Sequence, residues 1–176
     1  MLRPSTTYNQ AYIDWLHEEV LEQFKDDELR LKHVLGVVHR AKAIAMHYHL
    51  DIYQVQAIAY LHDYTKNLSI DAHFQLIPEQ DSHTFKEYHY FLHAISAYEV
   101  ARSYFEMDDK ILLDAIYYHS TGRKKMTLYD KVLLIADMCE PGRTLWDNEA
   151  LYQLALEDLN KALFQSISLK MNYMNK

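Results

Sequence analysis

Six side chains in this sequence have the types and the order that a metal site needs. His62 and Asp63 stand together at the end of an apolar stretch, Val55, Ile58, Ala59 and Leu61. A His-Asp dipeptide arises often by chance. Alone it reads equally well as a polar helix end facing solvent, the histidine favoured there by the helix dipole. Other positions along the chain add weight. His33 lies 29 residues before His62, and His93 lies 30 residues after Asp63, inside Phe91-Leu92-His93-Ala94-Ile95. His119 ends the run Ala115-Ile116-Tyr117-Tyr118, and Asp137 is set in Leu133-Leu134-Ile135-Ala136-Asp137-Met138. A carboxylate embedded in such a run is the most telling of the six, because an unpaired buried charge is costly and requires a cation, a metal or strong hydrogen bonds. A salt bridge to Arg143 or Lys131 would satisfy Asp137 without any metal. Taken singly, each histidine is more often a core or surface residue than a ligand. Taken together, imidazole and carboxylate suit divalent iron, manganese or zinc.

These groups can act together only if separate elements bring them together. Tyr12, Ile13, Leu16, Val20 and Phe24 recur at helical spacing and predict a helix from about Thr7 to Lys25. A second, from about Asp27 to His49, carries His33 and the apolar stripe Leu31, Val34, Leu35, Val38, Ala41 and Ala45. Asp51 with Gln54 resembles a capping box and opens a helix from Ile52 to His62. The segment from Tyr64 to about Ser82, broken by Asn67, Ser69 and Pro78, suits a loop with one short helix and the place of a lid. Helices follow from about Phe85 to Phe105 and from Asp109 to His119. Thr127 with Asp130 opens another to about Met138, Glu140-Pro141-Gly142-Arg143 is a turn, and a last helix spans about Asn148 to Met171. The expected architecture is all-α, a single bundle of six or seven helices, in whose interior ligands from separate helices converge. The first and last helices read as scaffold or as a homodimer surface.

Composition agrees. A chain of 176 residues suffices for one domain, and three glycines and three prolines are too few for the many turns of an all-β fold. The formal net charge of −7 disfavours nucleic acid as a partner, since duplex binders carry a basic face. A small anion remains compatible, because a metal or a few local cations reverse the field inside a pocket. No apolar run approaches membrane-spanning length, and no signal peptide is recognisable. With Cys139 as the single cysteine, the expected location is cytoplasmic. That thiol has no neighbour suggesting nucleophilic work.

The sequence resembles the HD-domain superfamily, and within it the YqeK-like group of symmetrical diadenosine tetraphosphate hydrolases. The segments that carry the resemblance run from about Arg30 to Arg143. They are Arg30-Leu31-Lys32-His33-Val34, Leu61-His62-Asp63-Tyr64-Thr65-Lys66, His93-Ala94, Ala115-Ile116-Tyr117-Tyr118-His119-Ser120-Thr121-Gly122 and Ile135-Ala136-Asp137-Met138-Cys139-Glu140-Pro141-Gly142-Arg143. The His-Asp pair points only to the superfamily, whereas the His-Ser-Thr-Gly and Ala-Asp-x-x-Glu-Pro-x-Arg segments are more specific to the group. Ser120 stands where such proteins more often carry threonine. The resemblance implies that His33, His62, Asp63 and Asp137 hold a first metal. It implies that His93 and His119 add a second, with Asp63 between them and iron the expected ion. Two such cations would lower the pKa of a water and supply the hydroxide that attacks an inner phosphorus, giving two ADP. Lys66 and Arg143, inside the matching segments, are the expected phosphate contacts, with Arg123, Thr121 and Gly122 as further candidates. For Arg123, Lys124 and Lys125, a solvated loop charge is the plainer reading. Tyr64 and Tyr118, beside ligands, could stack on a base.

Rival readings keep the same ligands. One is hydrolysis of another nucleotide, such as a nucleoside monophosphate or guanosine tetraphosphate. Another is a diiron oxygenase, against which Lys66 and Arg143 argue. A third is a nucleotide-binding sensor without turnover.

Overall fold

The computed structural model describes residues 7–79 and 88–174. Nine α-helices and one 3-10 turn lie among these residues, with no strand. In chain order they are α1 (Gln10–Gln23), α2 (Glu28–His47), α3 (Ile52–Leu61), α4 (Ile70–Leu76), the 3-10 turn His89–Phe91, α5 (Leu92–Ser103), α6 (Lys110–Tyr118), α7 (Leu128–Cys139), α8 (Asn148–Glu157) and α9 (Leu159–Met174). The all-α class is as expected, but there are more helices than the six or seven anticipated.

Most helix starts are fixed by a side chain that accepts an otherwise unpaired backbone N–H. Asn9, Asp27, Ser69, Asp109 and Asp147 do so for α1, α2, α4, α6 and α8. Thr127 and Asp130 form the reciprocal capping box that opens α7. The box anticipated at Asp51 is only half formed. Asp51 accepts from the Tyr53 and Gln54 amides, while the Gln54 side chain accepts from the Tyr129 hydroxyl at 2.5 Å instead of turning back.

Two expected helices are divided. The last breaks at Asp158, whose backbone is extended (φ −154°, ψ 100°). Its carboxylate accepts from the Asn160 and Lys161 amides, both at 3.0 Å, and so caps the helix that follows. The Tyr48 hydroxyl donates to the Ala155 carbonyl left over at the end of α8. Spacing could not reveal this break, because Ala155, Leu159 and Ala162 stay buried on both sides of it. The helix expected from Phe85 gives way instead to the 3-10 turn and α5. Its start, with Ser82 and His83, lies outside the described residues. The aromatic run Tyr88-His89-Tyr90-Phe91 is a poor helix former, since such side chains lose rotamer freedom against the preceding turn.

The centre of the bundle is α7, which packs on α2, α3, α6, α8 and α9. Val132 to Cys139 are therefore all buried, Asp137 among them. Helix α1 covers α3 with Tyr12, Ile13, Trp15, Leu16 and Val20. No helix among the described residues is long and apolar enough to cross a membrane.

Candidate metal centre

The structure brings all six anticipated ligand side chains together. His33 comes from α2, Asp137 from α7 and His93 from the first turn of α5. His62 and His119 are the residues that end α3 and α6, and Asp63 follows His62. Three of the histidines are set by one local device. The Nδ1–H of His62 donates to the Ala59 carbonyl at 2.7 Å, that of His93 to Tyr90 at 2.9 Å and that of His119 to Ile116 at 2.7 Å. In each case the acceptor lies three residues earlier. A carbonyl can only accept, so the proton sits on Nδ1 and the lone pair on Nε2. His33 Nδ1 lies 3.3 Å from Glu140 Oε1, which orients the fourth ring in the same sense.

All four Nε2 atoms point at Asp63, and its two oxygens divide them. Oδ2 lies 3.6 Å from His33 and 3.7 Å from His62, while Oδ1 lies 3.3 Å from His93 and 3.7 Å from His119. Asp137 Oδ1 stands 3.3 Å from His33 Nε2. Two clusters with metal-ligand spacing result, His33-His62-Asp63 and Asp63-His93-His119, sharing the one carboxylate.

The donor set fits divalent cations. The Nε2 atoms of His33 and His62 are buried without a hydrogen-bond partner, a costly arrangement for nitrogens aimed at carboxylates. His93 and His119 Nε2 face each other at 3.2 Å, and the Ser120 hydroxyl, 3.1 and 3.0 Å from them, can donate its one proton to only one of the two. Electrostatics agree. Burial opposes charge on His33, but Asp137 and Glu140 outweigh it and push the imidazole up to about 9, so this corner attracts positive charge. Burial outweighs Asp63 at His62 and lowers it to about 4; burial likewise holds His93 well below its ordinary value. Neutral imidazoles of this kind are ready to ligate. Burial would raise the carboxyls, yet His62 and His119 hold Asp63 down, and Arg143 and His33 hold Asp137 down.

Cations ring the same place. Arg30 Nη1 donates to Asp63 Oδ2 at 2.5 Å, and Arg143 Nη2 donates to Asp137 Oδ1 at 2.5 Å. Lys66 Nζ lies 3.1 Å from the His93 ring nitrogens and 5.0 Å above the Tyr90 ring. Arg30, Lys66, Arg143 and Lys170 line a pocket of about 240 Å³ with Tyr90, Trp146 and Tyr173.

A family model for the HD domain matches residues 30–142. The chain belongs to the HD-domain family. This HD-domain chain is 35% identical over 164 residues to the symmetrical bis(5'-nucleosyl)-tetraphosphatase of Bacillus subtilis (strain 168), a match spanning 90% of this chain and 88% of that one. It is 32% identical to the protein of the same name from Halalkalibacterium halodurans, over 80% of this chain and 76% of the other. A crystal structure from Clostridium acetobutylicum, described as a predicted HD superfamily hydrolase involved in NAD metabolism, superposes with a TM-score of 0.79. Sequence identity there is 30%, covering 91% of this chain and 85% of that one.

The remaining anticipated residues lie elsewhere in the HD-domain chain. Arg123 does not reach the pocket. It donates to Asp114 at 2.7 Å and to Asp130 at 2.8 Å, tying the start of α7 to α6. Gly122 has φ +66°, and its N–H donates to the Tyr118 carbonyl at 2.7 Å, which closes α6. Thr121 is exposed and lines a side recess with Ser120 and Lys170. Tyr64 packs on Phe24 and Phe105, and Tyr118 lies under Arg123, so neither faces the pocket. Tyr90, Trp146 and Tyr173 are the aromatic lining instead. Cys139 is buried, which pushes its thiol up to about 12 and leaves it inert.

Arg30, Glu140 and Lys170 stand at the centre without being among the ligands or phosphate contacts expected from the sequence. Two of these had a signal. Arg30 lies three residues before His33 on the same helix face, and Glu140 three after Asp137. Lys170 had none. It sits on α9, read as scaffold or dimer surface, and reaches the pocket only through the packing of α9 on α7.

Proposed function

We propose that this chain hydrolyses dinucleoside tetraphosphates, diadenosine tetraphosphate foremost, symmetrically to two nucleoside diphosphates at a centre of two divalent cations, iron in the first instance. The observation that carries this reading is the division of Asp63, one oxygen turned to His33 and His62 and the other to His93 and His119. In this reading His33, His62, Asp63 and Asp137 hold one cation, and His93, His119 and Asp63 hold the other. Bound there, the pair would supply a hydroxide at neutral pH and positive charge for the phosphate oxygens.

The chain's own part is charge and placement. Cleavage between the two inner phosphates creates a terminal phosphate on each product and with it more negative charge than the substrate carried, and Lys66, Arg143, Arg30 and Lys170 line the pocket where it develops. Burial lowers the pKa of Lys66 and of Lys170, a cost that an anion in the pocket offsets. Arg143 also donates Nε–H to the Asp137 carbonyl at 2.9 Å, which fixes the plane of its fork for phosphate. Four cations in a pocket this small suit a polyphosphate and weigh against an oxygenase acting on a neutral polyol. We place the reaction in the reducing cytoplasm, on the strength of a nucleotide substrate and one buried thiol.

Purified protein supplied with iron or manganese is expected to convert diadenosine tetraphosphate to ADP, and a strong chelator to stop it. Chromatography of the products decides the matter: ATP plus AMP would overturn the symmetrical assignment. Asp63→Ala is expected to abolish both metal retention and turnover with helical content intact.

A further inference from the structure

The metal pocket is smaller than the substrate proposed for it. Its volume of about 240 Å³ falls below the roughly 300–1,000 Å³ typical of small-molecule sites. A dinucleoside tetraphosphate brings two nucleosides and four phosphates. An open groove of about 840 Å³ adjoins the pocket, lined by Leu29, Lys32, Gly36, Pro141, Thr144 and Leu145. The two cavities share Arg30, Arg143 and Leu145, so the arginines stand where one opens into the other.

We infer that this groove is the subsite for the second nucleoside diphosphate half of the substrate, its base against Leu29 and Leu145 and its phosphates passing between Arg30 and Arg143 to the metal centre. The inference rests on the hydrolase reading above. Three features of the groove support it. The first is apolar surface offered to solvent: Leu29 is 81% exposed and Leu145 58%, which suits the flat face of a base. The second is charge. Arg30, Lys32 and Arg143 are cationic; Lys32 is paired with the exposed Glu28 at 2.7 Å, and the two acids that line the groove are already engaged. Asp27 caps α2 and accepts from Asn67, and Glu140 accepts from the Gly142 amide and faces His33. Arg30 in addition keeps a buried Nε–H without a partner at this junction. The third is a built floor. A side chain at Gly36 would place Cβ 2.7 Å from Glu140 Oε2 and 3.3 Å from Pro141 Cδ, so α2 and the Glu140–Gly142 turn close on each other beneath the groove.

The test compares a ligand that needs both cavities with one that needs only the metal pocket. Titration calorimetry of the manganese-loaded protein would measure binding of ADP and of an uncleavable, methylene-bridged diadenosine tetraphosphate. Leu29→Asn keeps the size of the side chain and removes its apolar surface; it is expected to weaken the analogue about ten-fold, the worth of one buried leucine contact, and to leave ADP within about two-fold. Leu29→Met is expected to restore the analogue. Unchanged analogue binding in Leu29→Asn, or equal loss for both ligands, would overturn the groove as a second subsite. Failure of the hydrolase reading is seen separately, in the products formed by the unaltered protein.

Discussion

His33 differs from the other three histidines in what holds its outer nitrogen. They use a backbone carbonyl, whereas His33 uses the carboxylate of Glu140, 3.3 Å away. Glu140 is itself buried and anchored by the Gly142 amide at 2.6 Å. A carboxylate behind a ligating imidazole makes it a better donor, and loss of such a partner typically costs about 10–100-fold in metal affinity. Glu140→Gln keeps the shape and removes the charge. Competition with a calibrated chelator is expected to show a loss of that size, with the far-ultraviolet circular dichroism unchanged; equal affinity would confine Glu140 to holding the turn. The ligand types and their order along the chain were legible in the sequence, because chemistry restricts which side chains bind such ions. The orientation of the rings was not, since it depends on carbonyls that only folded helix ends present.

Helix α2 and the turn after α7 meet at Gly36, which makes this glycine an element-scale constraint. Alanine in a helix interior is favoured over glycine by about 1 kcal/mol, but overpacking a closed contact costs about 1–3 kcal/mol. The added methyl would meet a carboxylate oxygen at 2.7 Å, and that oxygen is held by the Gly142 amide, so the clash wins. Gly36→Ala is expected to lose up to about 2 kcal/mol in urea unfolding, and to weaken metal binding as Glu140 is pushed off His33. A more stable variant would mean that the turn moves away without cost. Element positions were largely readable, as Asp27, Asp109 and Thr127 show: a capping residue precedes an apolar period, and helices α2, α6 and α7 begin there. The break at Asp158 was hidden because aspartate inside a helix and aspartate capping the next one look alike in sequence. That break matters, since it sets the start of α9 and so the placement of Lys170.

At the scale of the whole molecule, the six ligand side chains belong to α2, α5, α7 and the ends of α3 and α6, so one centre ties five helices together. The apolar core is built from other side chains: the buried hydrophobic residues of α1, α3 and α7 form one cluster that includes none of the six ligands. Removing metal should therefore lower stability without melting the fold. A ligand at 100 times its Kd stabilises the folded state by about 2.7 kcal/mol. In a domain of this size each kcal/mol moves Tm by about 2–4 °C. Chelation is thus expected to lower Tm by about 5–10 °C under those conditions, with helical content below the transition unchanged. Asp63 is the shared member of both clusters, so Asp63→Ala should show no metal-dependent shift at all. His93→Ala and His119→Ala, which keep the His33-His62-Asp63 cluster, should each retain part of the shift. If the three variants behaved alike, the two halves of the centre would be a single cooperative unit, and the division of labour between the oxygens of Asp63 would have to be given up.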